Sequence, residues 1–106
     1  MAIIIAREPD EKRQTNTISE APKIFPNPVT PNFRGMVGIT GLATDAIVKI
    51  TDVSGKLIWE TRAHGGTASW NIHDYNGKRA GTGIYLVFSV SADGAESVVG
   101  KIAVIE

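Results

Sequence analysis

The sequence predicts an all-β domain, an immunoglobulin-like seven-stranded antiparallel β-sandwich. Short runs rich in β-branched residues recur through residues 24–106, and turn signals containing glycine separate them about every 8–12 residues, the spacing typical of such sandwiches. No segment shows the hydrophobic period of an amphipathic helix. The 106 residues are enough for one domain with a single core. A small closed barrel is the alternative fold.

The first three strands are predicted from alternation and from the residues that interrupt it. The first, Lys23–Phe25, ends at Pro26–Pro28 because proline cannot donate a ladder hydrogen bond. The second is Met36–Thr40. In the third, Ala46–Asp52, apolar and polar side chains alternate, as expected of a strand with one buried face. Asp52–Lys56 then forms a turn in which Gly55 adopts the positive φ of a hairpin bulge.

The remaining strands follow from glycine-bearing breaks. Leu57–Thr61 returns antiparallel and ends before Gly65-Gly66, after which Thr67–Trp70 is extended. After an Asn-Gly turn, the segment Gly83–Val90 is almost continuously apolar, which predicts a central strand covered on both faces. An Asp-Gly turn leads into the last strand, Val98–Ile105.

Residues 1–23 have a different composition from the predicted sandwich at 24–106. We expect the apolar stretch Ala2–Ala6 to be a residual strand of a preceding domain, and the charged remainder to be a flexible linker. The start lacks the basic region and apolar length of a signal peptide, which predicts either a cytosolic protein or a fragment. In the isolated chain, Ala2–Ala6 is expected to promote dimers or strand swapping by adding to an exposed sheet edge.

Composition excludes several classes of function. The 11 basic and 11 acidic residues cancel, so the chain lacks the positive field of a nucleic-acid binder. Without cysteine there is no disulfide, thiolate metal site or cysteine nucleophile. His64 and His73 fit no ligand spacing, and Asp74–Gly77 lacks the rest of a calcium loop, so loop histidines and a turn are expected. We predict no enzyme, no metal and no cofactor.

Four aromatic residues leave one alternative open, a platform that stacks on sugar rings. They are Trp59, Trp70, Tyr85 and Phe88. At strand spacing such residues more often form the core or cross-strand pairs. Tyr85 follows a glycine at the start of a central strand, which predicts a tyrosine corner with its hydroxyl bonded back to the main chain.

Four motifs occur in order along the predicted sandwich. They are Phe25-Pro26-Asn27-Pro28-Val29, Val48-x-Ile50-x-Asp52-x-Ser54-Gly55-x-Leu57, Gly83-x-Tyr85-Leu86-Val87 and Gly100-Lys101-Ile102-x-Val104. Together they resemble the Por secretion system C-terminal sorting domain, the type A signal of the type IX secretion system of Bacteroidota. The stretches Val48–Asp52, Gly65–Trp70 and Thr82–Phe88 are most similar to the terminal domain of that system's surface propeller component.

The resemblance implies a folded address label that passes through the periplasm to the cell surface or outer membrane. Its implied partners are the outer-membrane translocon and its shuttle protein, the sortase and, in cargo, anionic lipopolysaccharide. The carried-over recognition residues are Pro26, Asn27, Pro28, Asp52, Gly55, Gly83, Tyr85, Lys101, Ile102 and Val104. We expect the last strand to offer Lys101, an unpaired edge and a chain end to a receptor. The alternative function is an accessory module, similar to the flagellar hook-cap type, that binds or spaces on a surface carbohydrate-active protein.

Overall fold

Two antiparallel sheets face each other in the computed structural model, which describes residues 21–106. The smaller sheet has the order β1-β2-β5 and the larger sheet has the order β4-β3-β6-β7. The strands are β1 (Lys23–Phe25), β2 (Val37–Thr40), β3 (Ile47–Asp52), β4 (Leu57–Arg62), β5 (Ala68–Trp70), β6 (Gly83–Val90) and β7 (Glu96–Val104). The predicted immunoglobulin-like sandwich is confirmed. The predictions for Ala2–Ala6 and for residues up to 20 lie outside the described residues.

The core lies between the sheets and is built from alternate residues of each strand. Trp70 lies at its centre, fully buried, with its indole Nε1 donating to the carbonyl of His73 at 3.0 Å. That bond satisfies the one polar atom of an otherwise apolar side chain. The larger sheet contributes Val48 and Ile50 from β3 and Val87 from β6, all fully buried. The residues of β3 that the alternation predicts to face inward are therefore the ones that the structure buries.

Three of the turns share one geometry. In Asp52–Lys56, Asp74–Lys78 and Ser91–Ala95 the first residue's N–H donates to the fifth residue's carbonyl, and the fourth donates to the first. The fourth position is a glycine with positive φ in each turn: Gly55, Gly77 and Gly94. These are the positions where a side chain would be strained, because left-handed backbone is unfavourable for residues with a Cβ.

The first strand changes sheets at Pro26–Pro28. β1 pairs with β2 in the smaller sheet, and four residues beyond the end of β1, Val29 forms a parallel bridge to Val104 on β7 in the larger sheet. Neither proline has an N–H that would need a ladder partner at the crossing. The segment therefore joins the two sheets along one side of the sandwich.

The outward face of β6 corrects one prediction. Its inward residues Tyr85 and Val87 are buried, but Ile84 is 41% exposed, and Leu86 and Phe88 are only half-buried. Nothing among residues 21–106 packs over that side as a second layer. The prediction of cover on both faces was wrong for this part of the chain, because a two-layer sandwich encloses only one face of each sheet.

Candidate functional site: the terminal strand and the segment that covers it

Asn27 takes the place of a neighbouring strand along the last part of β7. Its side-chain Nδ2 donates to the carbonyl of Lys101 at 2.8 Å, and its Oδ1 accepts from the N–H of Ala103 at 2.9 Å. A carboxamide carries the same donor and acceptor as a peptide group. One side chain therefore satisfies two main-chain groups that an edge strand would otherwise leave unpaired.

Val29 continues the same cover toward the chain end. Its N–H donates to the carbonyl of Ala103 at 2.7 Å, and its carbonyl accepts from the N–H of Ile105 at 2.8 Å. Val29 itself is fully buried. The edge of β7 at residues 101–105 is thus occupied, which corrects the expectation of an unpaired edge beside Lys101.

The last residue is also held by side chains. The Glu106 carboxylate accepts from Arg79 Nε at 2.7 Å, and the Glu106 N–H donates to the Thr82 hydroxyl at 2.9 Å. The Arg79 guanidinium reaches the Thr30 carbonyl at 3.4 Å. Arg79 therefore ties the chain end to the segment that follows the opening motif. Sequence reasoning missed Arg79, Thr82 and Glu106, because nothing local marks an ion pair between residues 27 positions apart.

The hairpin motif is explained by its turn. Asp52 Oδ1 accepts from the Ser54 N–H at 2.9 Å, the Ser54 hydroxyl at 2.6 Å and the Lys56 N–H at 3.0 Å. These hydrogen bonds, that of the Ser54 hydroxyl foremost, hold the pKa of Asp52 below its ordinary value, because they stabilise the charged carboxylate. Gly55 has a φ of 92° and supplies the left-handed residue of the turn. Both residues have a structural purpose.

Tyr85 forms the predicted tyrosine corner. Its hydroxyl donates to the carbonyl of Gly81 at 2.7 Å, and its ring lies 5.7 Å from that of Trp70. Burial raises the pKa of the Tyr85 hydroxyl, and the negative charges of Asp52 and Glu106 add to the effect. Tyr85 thus links the start of β6 to the core beneath the chain end.

The terminal motif divides between the core and the surface. Ile102 and Val104 point inward and are buried, whereas Lys101 is exposed and lies opposite Leu86 on the outer face of the larger sheet. No carboxylate of residues 21–106 lies within ion-pair distance of its ammonium group. Gly83 pairs with Val104 at the start of β6, and a Cβ built there meets no atom within 4 Å. Packing among the described residues therefore explains neither the lysine at position 101 nor the glycine at position 83.

The other candidate groups are placed as follows. Trp70 is fully buried and Tyr85 is 8% exposed, so neither ring is available to stack on a sugar. His64 is exposed, while His73 is half-buried and its Nδ1 lies 2.6 Å from the Asn71 carbonyl. Within residues 21–106, no three acidic, histidine or cysteine side chains gather as metal ligands, and no helix is long and apolar enough to span a membrane.

This arrangement matches a known family. The family model described as the secretion system C-terminal sorting domain matches residues 23–105, which is the whole sandwich. The chain belongs to that family. The domain is a C-terminal sorting domain of the type IX secretion system, and in its structure Asn27 of the opening motif contacts the terminal motif on β7.

A solved structure shows a similar fold. It is PorZ, described as an essential bacterial surface component of the type IX secretion system of Porphyromonas gingivalis. The two share 30% sequence identity and superpose with a TM-score of 0.71, over 80% of this chain and 11% of the PorZ chain. The chain therefore spans about a tenth of that protein. No curated protein matches the chain.

These findings support an interaction with secretion machinery, and they indicate export to the cell surface or outer membrane. A family of sorting signals also suggests a non-enzymatic role.

Proposed function

We propose that the type IX translocon and its shuttle protein recognise this sorting domain at the end of the β6–β7 pair, around Lys101 and Gly83. Most of the motif residues have a structural role within the sandwich. Asn27 covers β7, and the prolines beside it lie where the first strand changes sheets. Asp52 and Gly55 build a turn, and Tyr85 forms a corner. Ile102 and Val104 fill the core.

Lys101 and Gly83 have no such structural role among the described residues, and this observation is the basis of the proposal. An exposed ammonium group offers a receptor a charge-assisted hydrogen bond. A glycine with open space beside it permits the close approach of a partner's main chain. Both residues lie in the half of the β6–β7 pairing nearer to Glu106, Lys101 on the outward side of the sheet and Gly83 at an inward position. Arg79 and Thr82 hold Glu106 beside them.

The proposed route passes through the periplasm, and a sortase then acts on cargo between the parent protein and the sandwich. Residues 7–23 are the predicted linker at which a cut would fall. In cargo, the new chain end would be joined to anionic lipopolysaccharide, whereas a propeller component of the machinery would keep its sorting domain.

The test is an export assay in a Bacteroidota host. The 106-residue chain is fused behind a periplasm-targeted fluorescent reporter and compared between a wild-type strain and a translocon mutant. We expect a surface signal that depends on the translocon, and the reporter mass distinguishes cleavage from retention. Reporter that stays in the periplasm of both strains would contradict the sorting role.

Two substitutions locate the contact. Lys101→Gln and Gly83→Ala are expected to lower the surface signal about tenfold or more, while the unfolding midpoint of the purified chain stays unchanged. Lys78→Gln is the matched control, since Lys78 is an exposed turn lysine outside the motifs, and its surface signal should equal that of the wild type. Equal export of all four proteins would contradict the proposed contact.

A further inference from the structure

The face of the larger sheet that points away from β1, β2 and β5 is apolar along its middle, and we call it the outer face. Its largest apolar side chains are Ile47, Leu57, Ile84, Leu86 and Phe88, and the smaller Val90 and Val98 lie beside them. Leu57 is 43% exposed, Ile84 41% and Val98 59%. A solvated sheet face normally carries polar side chains, and contiguous apolar exposure marks an interaction surface.

We propose that this outer face docks a second copy of the chain, sheet against sheet, about a two-fold axis parallel to the strands. The proposal goes beyond the sorting function and does not depend on it.

The strand registers place charges of both signs on both edge strands. Ile47 lies opposite Arg62 on one side and Val90 on the other, and Val90 lies opposite Glu96. Arg62 and Glu96 therefore lie at the two ends of one rung across the sheet. A two-fold axis along the strands lays β4 of one copy over β7 of the other at the same rung, so it brings Arg62 over Glu96 of the second copy, twice.

The next rung adds one favourable contact, between Lys49 and Phe88. Lys49 has Glu60 on one side, and on the other Phe88 followed by Val98. The same axis lays the Lys49 ammonium over the Phe88 ring of the second copy, a favourable cation–π arrangement, and lays Glu60 over Val98. A two-fold axis perpendicular to the strands would instead superpose Lys49 on Lys49 and Glu60 on Glu60. Charge therefore selects the axis parallel to the strands.

A groove in the outer face accommodates part of the second copy. It has a volume of about 290 Å³, with Leu57, Thr51 and Phe88 among its lining residues. Lys49 and Glu96 form an ion pair of 3.1 Å at its rim, reaching over the strand that carries Phe88. The lining combines the apolar side chains of Leu57 and Phe88 with three charged side chains, and interfaces of protein complexes also combine the two kinds.

The size of the face sets the expected strength. Four strands spaced about 4.8 Å apart and four rungs spaced about 6.8 Å apart cover roughly 500 Å² per copy. Two copies would bury about 1,000 Å² in total, which is near the lower limit for a specific interface. The dimer is therefore expected to be weak, with a Kd between the micromolar and millimolar ranges. Lys101 lies on the covered face, so self-association and receptor docking would exclude each other.

The test is sedimentation equilibrium of the full chain from about 10 μM to about 1 mM. We expect the weight-average mass to rise from 11.3 kDa toward twice that value. Val98→Glu should raise the dimer Kd about tenfold or more, because the proposed axis lays the new carboxylate over Glu60 of the second copy. Met36→Glu is the matched control, since Met36 is 52% exposed and precedes β2 in the smaller sheet, and its Kd should equal that of the wild type.

Arg62→Glu provides a second variant, because it sets two carboxylates against each other across the axis. We expect it to raise the Kd as well, and the effect should shrink as salt is added. A wild-type chain that remains at 11.3 kDa throughout would overturn the proposal. A Val98→Glu protein that dimerises like the wild type would overturn it too, because the contact would then lie on another surface, such as a sheet edge.

Discussion

The two halves of β7 differ in what surrounds them. The sealed half, residues 101–105, has β6 on one side and Asn27 with Val29 on the other. The open half, residues 96–98, pairs with β6 alone among the described residues, and Val98 is 59% exposed. A sheet edge is a liability only where it lies unpaired, and here a short motif far away in the sequence protects one half and not the other.

This difference shows how a secretion signal can be stable and still recognisable. The sealed half is held by the bonds to Asn27 and Val29 and, at Glu106, by the ion pair with Arg79, while the Lys101 side chain stays exposed. The exposed surface that remains on the open half and on the outer face is where a second molecule has room to bind.

The largest expected effect compares one apolar side chain from each half. Ile102→Ala should lower the free energy of unfolding by about 2–5 kcal/mol, because Ile102 is fully buried and the truncation leaves a cavity. Val98→Ala should change it by less than about 0.5 kcal/mol. Urea denaturation measures both. Similar losses for the two variants would mean that the two halves of β7 contribute equally to stability.

The second prediction removes the seal itself. Asn27→Asp keeps the acceptor for Ala103 but places a carboxylate oxygen against the Lys101 carbonyl, so we expect a loss of about 1–2 kcal/mol in the free energy of unfolding. Hydrogen exchange at the Ala103 amide should accelerate, while exchange at the open half stays unchanged. Asn32→Asp is the control, since Asn32 is exposed in a loop. Unaltered exchange at the Ala103 amide would show that Asn27 does not protect this part of β7.

The third prediction concerns the corner beside the sealed half. Tyr85→Phe should cost about 1 kcal/mol in the free energy of unfolding, because the Gly81 carbonyl loses its donor. Folding raises the pKa of Tyr85 above its ordinary value of 10.0. The contribution of the neutral Tyr85 hydroxyl to the free energy of unfolding is therefore fully present below that pH. It is lost as the pH rises through the folded-state pKa. Unfolding measured across alkaline pH should show this loss in the wild type and less of it in Tyr85→Phe; equal slopes would contradict the assignment.

The smallest effect is expected at the chain end. Arg79→Gln breaks the ion pair with Glu106, whose side chain is 36% exposed, so the loss should be below about 1 kcal/mol. In about 1 M salt the difference between Arg79→Gln and the wild type should largely vanish. A difference that persists at high salt would point to the Thr30 hydrogen bond rather than to charge.

Much of the fold was predictable because strand signals are local. Apolar and polar alternation, as in β3, and the glycine-bearing turns between strands predicted the ends of each strand to within about two residues. Tyr85 was identifiable as a tyrosine corner, because its position relative to the start of β6 is a local property. The motif residues were also recognisable, yet their order in the chain did not reveal which of them touch.

The outward face of β6 shows where local pattern misleads. An almost continuous apolar run is typical of a strand covered on both sides, but the number of layers is decided by which sheets pack together. With two sheets, Phe88 and Leu86 face outward however apolar they are. The exposed apolar surface of the proposed dimer can therefore be identified only from the tertiary structure.

The sequence by itself determined the strands, the turns and the family to which the chain belongs, because each depends on residue type and spacing along the chain. Tertiary structure decided that Asn27 seals β7 across 74 residues, that Arg79 holds Glu106, and that Lys101 is left exposed without a partner among the described residues. Hydrogen bonds and ion pairs form between groups that the fold brings together, and residue spacing does not encode that distance.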